Sequence, residues 1–251
     1  MPRLPRYAIT GLPQHVVQRG HNRQAIFLVD ADKKIFRDIL IDVSHRHECQ
    51  VHAYVLMDNH IHLLVTPCRE NSISKVMQSL GSSYVRYFND TYRRSGTLWE
   101  GRYKATVLEP VSYLFHLHRY IEFNPVRAGR VRHPREYPWT SWHGNGEGAD
   151  DPLLTPHPLY EELGGSPQAR AQCYRQMFSL PMSKAMLNEI RAATQKEWAL
   201  GDIAFKKHLE HTLNRPVMPK PRGGDRKSAA FRAQNTTLQQ PRGLTAGGSL
   251  S

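Results

Sequence analysis

The sequence predicts an α+β protein: a ferredoxin-like, split β-α-β antiparallel sheet carrying helices, followed by a small helical C-terminal appendage and a basic tail. Three observations predict it. Up to Asn124 the apolar period switches between two and about 3.6 residues in the order β-α-β-β-α-β-α. Asp58-Asn59 separates two β-branched runs with tight-turn chemistry, so those runs pair as an antiparallel hairpin. From Gly144 to Pro152 periodicity gives way to turn formers, and helical patterns return only after Pro158.

Each element has its own reason. His15-Val16-Val17-Gln18 reads as a strand, and Lys33 to His47 as a helix, with Ile35, Phe36, Ile39, Leu40 and Val43 on one face and Asp30 or Asp32 as cap. Val51 to Met57 and His60 to Thr66 form the hairpin. Ser72 to about Tyr92 strings Ile73, Val76, Met77, Leu80, Tyr84 and Phe88 along one stripe, capped by Asn71 or Ser72. Leu98 to Leu108 reads as strand. Pro110, favoured in a first helical turn, opens a helix that ends where Asn124 meets Pro125. The expected division is therefore a domain over 1–145, a linker over 146–157, a helical appendage over 158–214 and a basic, largely disordered tail over 215–251.

Composition narrows the function. The chain has 251 residues, with 34 Lys and Arg against 22 Asp and Glu, a net charge of +12 that points to a nucleic-acid partner. No apolar run is long enough to span a membrane and the amino terminus lacks a secretory pattern, so a cytoplasmic protein is expected. The three cysteines, Cys49, Cys68 and Cys173, form no C-x-x-C pair, which argues against a disulfide framework or a cysteine zinc site.

Of three His-x-His pairs, His45/His47 and His116/His118 fall on helices, where positions two apart diverge by about 200°. Only His60 and His62 share a strand face, with Leu64 and Thr66, while Ile61, Leu63 and Val65 face the other way. They are either two polar residues on a half-exposed strand or half of a divalent-metal site. On the last helix Tyr120 and Asn124 stand at i and i+4 with His116 one turn before, while Leu114, Leu117 and Ile121 form the core stripe. Tyr120 is either an interfacial tyrosine or a nucleophile able to attack phosphorus, which a phenol with an ordinary pKa near 10 does only with help. Arg19, Arg23, Arg102, Lys104, Arg127 and Arg130 flank these motifs and would track a DNA backbone, as would Arg222, Arg226 and Lys227 in the tail. Trp99 and Tyr103 could stack on unpaired bases or serve as core.

Three motifs in order, Met57-Asp58-Asn59-His60-Ile61-His62-Leu63-Leu64-Val65, Leu98-Trp99-Glu100-Gly101-Arg102 and Tyr120-Ile121-Glu122-Phe123-Asn124-Pro125-Val126-Arg127-Ala128-Gly129, resemble the single-tyrosine transposases with a His-hydrophobic-His signature. The REP-associated members are the most similar. Gln18-Arg19-Gly20-His21-Asn22-Arg23 and Tyr137-Pro138-Trp139-Thr140-Ser141 fit as well, so the likeness spans about residues 7 to 145. It implies a nicking and strand-transferring enzyme acting on single-stranded or hairpin DNA of palindromic repeats, working as monomer or homodimer and associated with the nucleoid. By the same resemblance His60, His62 and Asn124 would hold Mg²⁺ or Mn²⁺, and Tyr120 would form a 5′-phosphotyrosine. Asp58 departs from the proline that relatives often carry before the Asn-His pair, a position in the turn and not in the site. A water-attack nuclease and a non-catalytic nucleic-acid-binding module are the alternatives.

Overall fold

The computed structural model describes residues 6, 7 and 9–219. The sheet contains β1 (Gln14–Arg19), β2 (Cys49–Met57), β3 (His60–Pro67) and β4 (Lys104–Val107) in the order β2-β3-β1-β4, with every pair antiparallel. Helix α1 (Asp30–Arg46) joins β1 to β2, α2 (Ser72–Tyr92) joins β3 to β4, and α3 (Pro110–Glu122) follows β4. This is the predicted α+β arrangement.

One sheet face carries Val16, Leu56, Ile61, Leu63 and Val65 against Phe36 and Leu40 of α1 and Val76, Leu80, Tyr84 and Phe88 of α2. The other face is not half-exposed. Ala53, Val55, Met57 and Leu64 meet Leu114, Leu117 and Ile121 of α3 and Ile190 and Ala193 of α8 (Lys184–Lys196). Leu64, Leu117 and Ile190 are fully buried, each stabilising the fold by about 1.5–3 kcal/mol. That is ample reason for the carboxy-terminal helices to close over the sheet. The expected appendage is helical, with α6 (Pro158–Glu161), α7 (Pro167–Met177), α8 and α9 (Ile203–Leu213), but α8 seats on β4 and does not stand apart. Residues up to Val217 form one compact unit.

Several local expectations change. The strand expected over Leu98–Leu108 narrows to β4: Glu100 N–H still bonds Arg19 C=O at 2.9 Å, but Gly101, at φ 109°, turns the chain away before Lys104. The helix does not stop at Asn124. A one-turn α4 (Asn124–Arg127) follows Phe123 and takes Pro125 in its first turn, where a missing N–H costs nothing. At the start of α1 the cap position is Val29, and Asp32 acts from within the first turn, accepting from the N–H groups of Leu28 and Val29. Asn71, left-handed at φ 64°, makes no side-chain cap on α2, and Ser72 Oγ instead accepts from Arg69 N–H. The segment expected as a linker is pinned: Asp151 pairs with Arg37 at 2.6 Å and accepts from Tyr54 Oη at 2.7 Å, and Leu153 joins the core. The expected tail begins too early, since Arg215 lies 4.0 Å over the Tyr7 ring and Val217 is buried. Arg222, Arg226 and Lys227, and the disorder expected of the last residues, lie outside the described residues.

Candidate active site

His60 and His62 follow the Asp58-Asn59 turn on β3 and face α3, their ring centroids 5.0 Å apart. Tyr120, 8 % exposed, sets its ring edge-on to His62 at 5.8 Å between centroids. Asn124, one turn on, bonds the His60 side chain. Strand and helix thus bring the four residues into one recess of about 640 Å³. Arg19, Arg23, Arg102, Lys104 and Arg127 also line it, with Arg191 added by α8 and Glu100 the one acid among its lining residues. Six cations against one carboxylate make it an anion site.

Two independent hydrogen-bond chains fix the histidine tautomers. Asn59 Nδ2 donates to Arg23 C=O at 3.1 Å, so its Oδ1 accepts from His60 Nδ1–H at 2.7 Å. On the other side Thr194 Oγ1 donates to Ile190 C=O at 2.7 Å and accepts from His15 Nδ1–H at 3.1 Å. His15 Nε2 then accepts from His62 Nδ1–H at 2.8 Å. His62 is therefore left with a bare Nε2, while the remaining nitrogen of His60 is the one toward Asn124. Burial, then Arg19, pushes His60 down to about 4. Burial, then Arg127, pushes His15 down to about 3, and burial with the neighbouring imidazoles holds His62 well below the usual histidine range. The rings are neutral at pH 7, the state in which imidazole binds a cation. Metal-ligating histidines characteristically have the second nitrogen engaged in this way. No cluster of three or more His, Cys, Asp or Glu suited to a metal exists among the described residues. The donor set is two imidazoles and an amide, which leaves coordination positions open for phosphate oxygens and water, and the residues fit a divalent ion.

The other candidates sort cleanly. Arg127 sits 4.4 Å over the Tyr120 ring and donates to the Tyr120 carbonyl; burial pushes its guanidinium down to about 10, still protonated at pH 7. Arg130 lies outside the recess, paired with Asp58 at 2.9 Å. Asp58 also pairs with Lys33 at 3.2 Å, so the turn residue is a structural anchor. Tyr103 is core, 6 % exposed and covered by the Arg6 guanidinium at 3.7 Å, and is not free to stack on a base. His116 is exposed and off the recess. Tyr113 donates to Glu189 at 2.7 Å, and burial with that carboxylate raises its pKa.

Sequence reading missed His15, Arg191, Thr194 and Gln195. His15 alternates with buried Val16, a signal for the sheet face shared with His62 once β1 is known to pair with β3. The α8 residues form a polar stripe beside Ile190 and Ala193.

Residues 8–124 match the family of IS200-like transposases. Over those residues the chain is similar to that family. Its members act on DNA, in keeping with the basic recess. The fold is similar to that of a REP-associated tyrosine transposase bound to a REP hairpin, at 19% identity and a TM-score of 0.52, covering 62% of this chain and 93% of that one. A candidate transposase from Deinococcus radiodurans R1 aligns at 21% identity over 48% of this chain and 96% of that one, with a TM-score of 0.34. Among curated proteins none matches significantly. The family match ends before α8, so Arg191, Thr194 and Gln195 reach the recess from beyond the matched residues.

Proposed function

We propose that this transposase nicks and rejoins single-stranded or hairpin DNA, of the palindromic-repeat kind, through a covalent 5′-phosphotyrosine on Tyr120. The observation that carries the reading is the placement of the Tyr120 ring 5.8 Å from His62 in a recess lined by arginines. Tyr120 Oη makes no hydrogen bond among the described residues, so no protein acceptor competes for it. As it bonds to phosphorus it gives up its proton, the phosphorus–O3′ bond breaks, and the departing oxygen is protonated to a 3′-hydroxyl. Arg127 over the ring favours the developing phenolate, and the surrounding cations hold the phosphate oxygens. His60, His62 and Asn124 would hold Mg²⁺ or Mn²⁺, which when bound polarises the scissile phosphate. His62 is only 5 % exposed, so the scissile phosphate must enter a recess, which a flexible single strand does more easily than a stiff duplex. The Tyr120 ring reaches His62 within its own chain, which supports a tyrosine acting in cis.

The test is covalent capture. Wild-type protein with Mg²⁺ or Mn²⁺ and a labelled hairpin oligonucleotide should give a denaturant-stable adduct mapping to Tyr120. Tyr120→Phe should give neither adduct nor nick while binding normally. Nicking by Tyr120→Phe would make water the nucleophile, and an adduct on Tyr113 would move the chemistry elsewhere.

A further inference from the structure

We infer that the recess between α2 and the Trp99–Tyr103 run is a nucleobase pocket, taking one unpaired base of the strand whose phosphate enters the catalytic recess. This rests on the DNA reading above. The two recesses share Gln18 and Arg102 as lining residues. They meet at the β1 edge, where β4 stops at Lys104 and Gly101 turns away, leaving Gln18 without a strand neighbour on that side.

The chemistry suits a planar heterocycle. The space is about 310 Å³, with an apolar floor of Phe36, Ile61 and Leu80, near the lower bound of small-molecule sites. Since Arg6 already covers Tyr103, the remaining aromatic wall is Trp99, half-buried and packed against Tyr84 at 6.2 Å between centroids, and its Nε1–H has no partner among the described residues. Gln18 is 7 % exposed; its Nε2 donates to Gly101 C=O at 3.0 Å, and no protein donor among the described residues reaches its Oε1. The exposed Gln78 amide is equally unengaged. A base thus finds one stacking face, one buried acceptor and an amide able to give and take. Gly81 lines the same wall, where a Cβ would reach ordinary van der Waals contact with Trp99 Nε1 at 3.4 Å, so a larger side chain there would enter the recess. Ser74, Gln78 and Gly81, at i, i+4 and i+7, form a small polar stripe beside the core stripe of α2.

The experiment uses full-length Tyr120→Phe protein, so that the strand stays intact. Hairpins carry 2-aminopurine, or pyrrolocytosine, at successive positions of the single-stranded flank. One position should be quenched and shielded from acrylamide in the complex. Gln78→Ala and Gly81→Leu should each remove that shielding and weaken binding about five- to a hundred-fold, the range expected for losing one base stack, with the salt dependence unchanged. An abasic hairpin at that position should bind as weakly and be indifferent to both substitutions. Binding without any shielded base, shielding that survives both substitutions, or equal weakening of the abasic hairpin would overturn the pocket. Failure of all hairpin and single-strand binding would overturn the DNA reading and the pocket together. A shielded base without a wild-type adduct would remove only Tyr120 as nucleophile.

Discussion

Two polar clusters flank α3, both buried, and they differ in what their atoms have left to offer. On one side His15, His60, His62 and Tyr120 leave a bare His62 nitrogen, a His60 nitrogen met only by Asn124, and an unbonded phenol oxygen toward a basic recess. On the other, Glu122 is fully buried; its Oε1 accepts from Ser141 Oγ at 2.7 Å and Asn145 Nδ2 at 2.9 Å, and its Oε2 from Tyr174 Oη at 2.6 Å. Burial pushes that carboxyl up to about 7. A raised pKa would by itself nominate Glu122 as an acid–base group. Its oxygens are already satisfied by protein donors that tie α3 to α5 (Trp142–Asn145) and α7. Unspent valence aimed at a recess, and not a perturbed pKa, separates the site from the strut.

The largest expected effect lies in the open cluster. His60→Ala and His62→Ala should each abolish nicking in Mg²⁺ or Mn²⁺ while hairpin affinity stays within about threefold, because affinity comes mainly from phosphate contacts to the arginines. Nicking assays beside fluorescence anisotropy check this, and wild-type cutting by either variant would remove the histidine pair from the chemistry. The closed cluster should answer in stability instead. Glu122→Ala strands three buried donors and should cost about 3 kcal/mol or more, read as a lowered thermal midpoint, with nicking per folded molecule unchanged. Loss of nicking in fully folded Glu122→Ala would erase the distinction between the clusters.

A smaller effect tests whether the open cluster depends on α8. Thr194→Val keeps the shape but removes the acceptor for His15 Nδ1–H, freeing the tautomer that sets His62. Mn²⁺ affinity, measured directly by calorimetry or spin resonance, should fall about 10- to 100-fold, as for other outer partners of metal-binding histidines. Unchanged affinity would reduce Thr194 to packing.

What the sequence revealed follows from the range over which each feature is encoded. His60 with His62, and Tyr120 with Asn124, are legible because strand and helix periods operate within a few residues. His15 and Thr194 stand 179 positions apart and meet only once β1 pairs with β3 and α8 covers the sheet. The basic excess marked the arginines as a class, but only geometry separates Arg127 over the tyrosine from Arg130 on Asp58. The Leu98–Leu108 run reads as a continuous strand because local propensity does not register the turn that Gly101 makes.

The smallest effect is a slope. Glu122, raised to about 7 against an unperturbed 4.5, keeps its proton in the folded state where the unfolded chain has lost it. Its contribution is therefore full below pH 4.5 and declines as pH rises to 7. His52, which burial pushes down to about 4, behaves oppositely: from 6.5 downward the unfolded chain takes up a proton that the folded ring refuses, so stability falls as pH falls. His118, held well below the usual histidine range by burial, acts in the same direction. Between pH 4.5 and 6.5 Glu122 opposes these two and the other histidines that burial depresses, His15, His60 and His62, which outnumber it. Wild-type stability should therefore fall as pH falls, but less steeply than the histidines alone would make it. Glu122→Gln keeps an acceptor for Ser141 and Asn145 but cannot titrate, so the histidine terms should act alone and acid should destabilise the variant more steeply. The extra change across the window is at most about 3 kcal/mol, measurable by denaturant unfolding at several pH values. Parallel wild-type and Glu122→Gln curves would mean that Glu122 takes up its proton alike in the folded and unfolded chain, making it an ionised strut at neutral pH and removing the raised carboxyl.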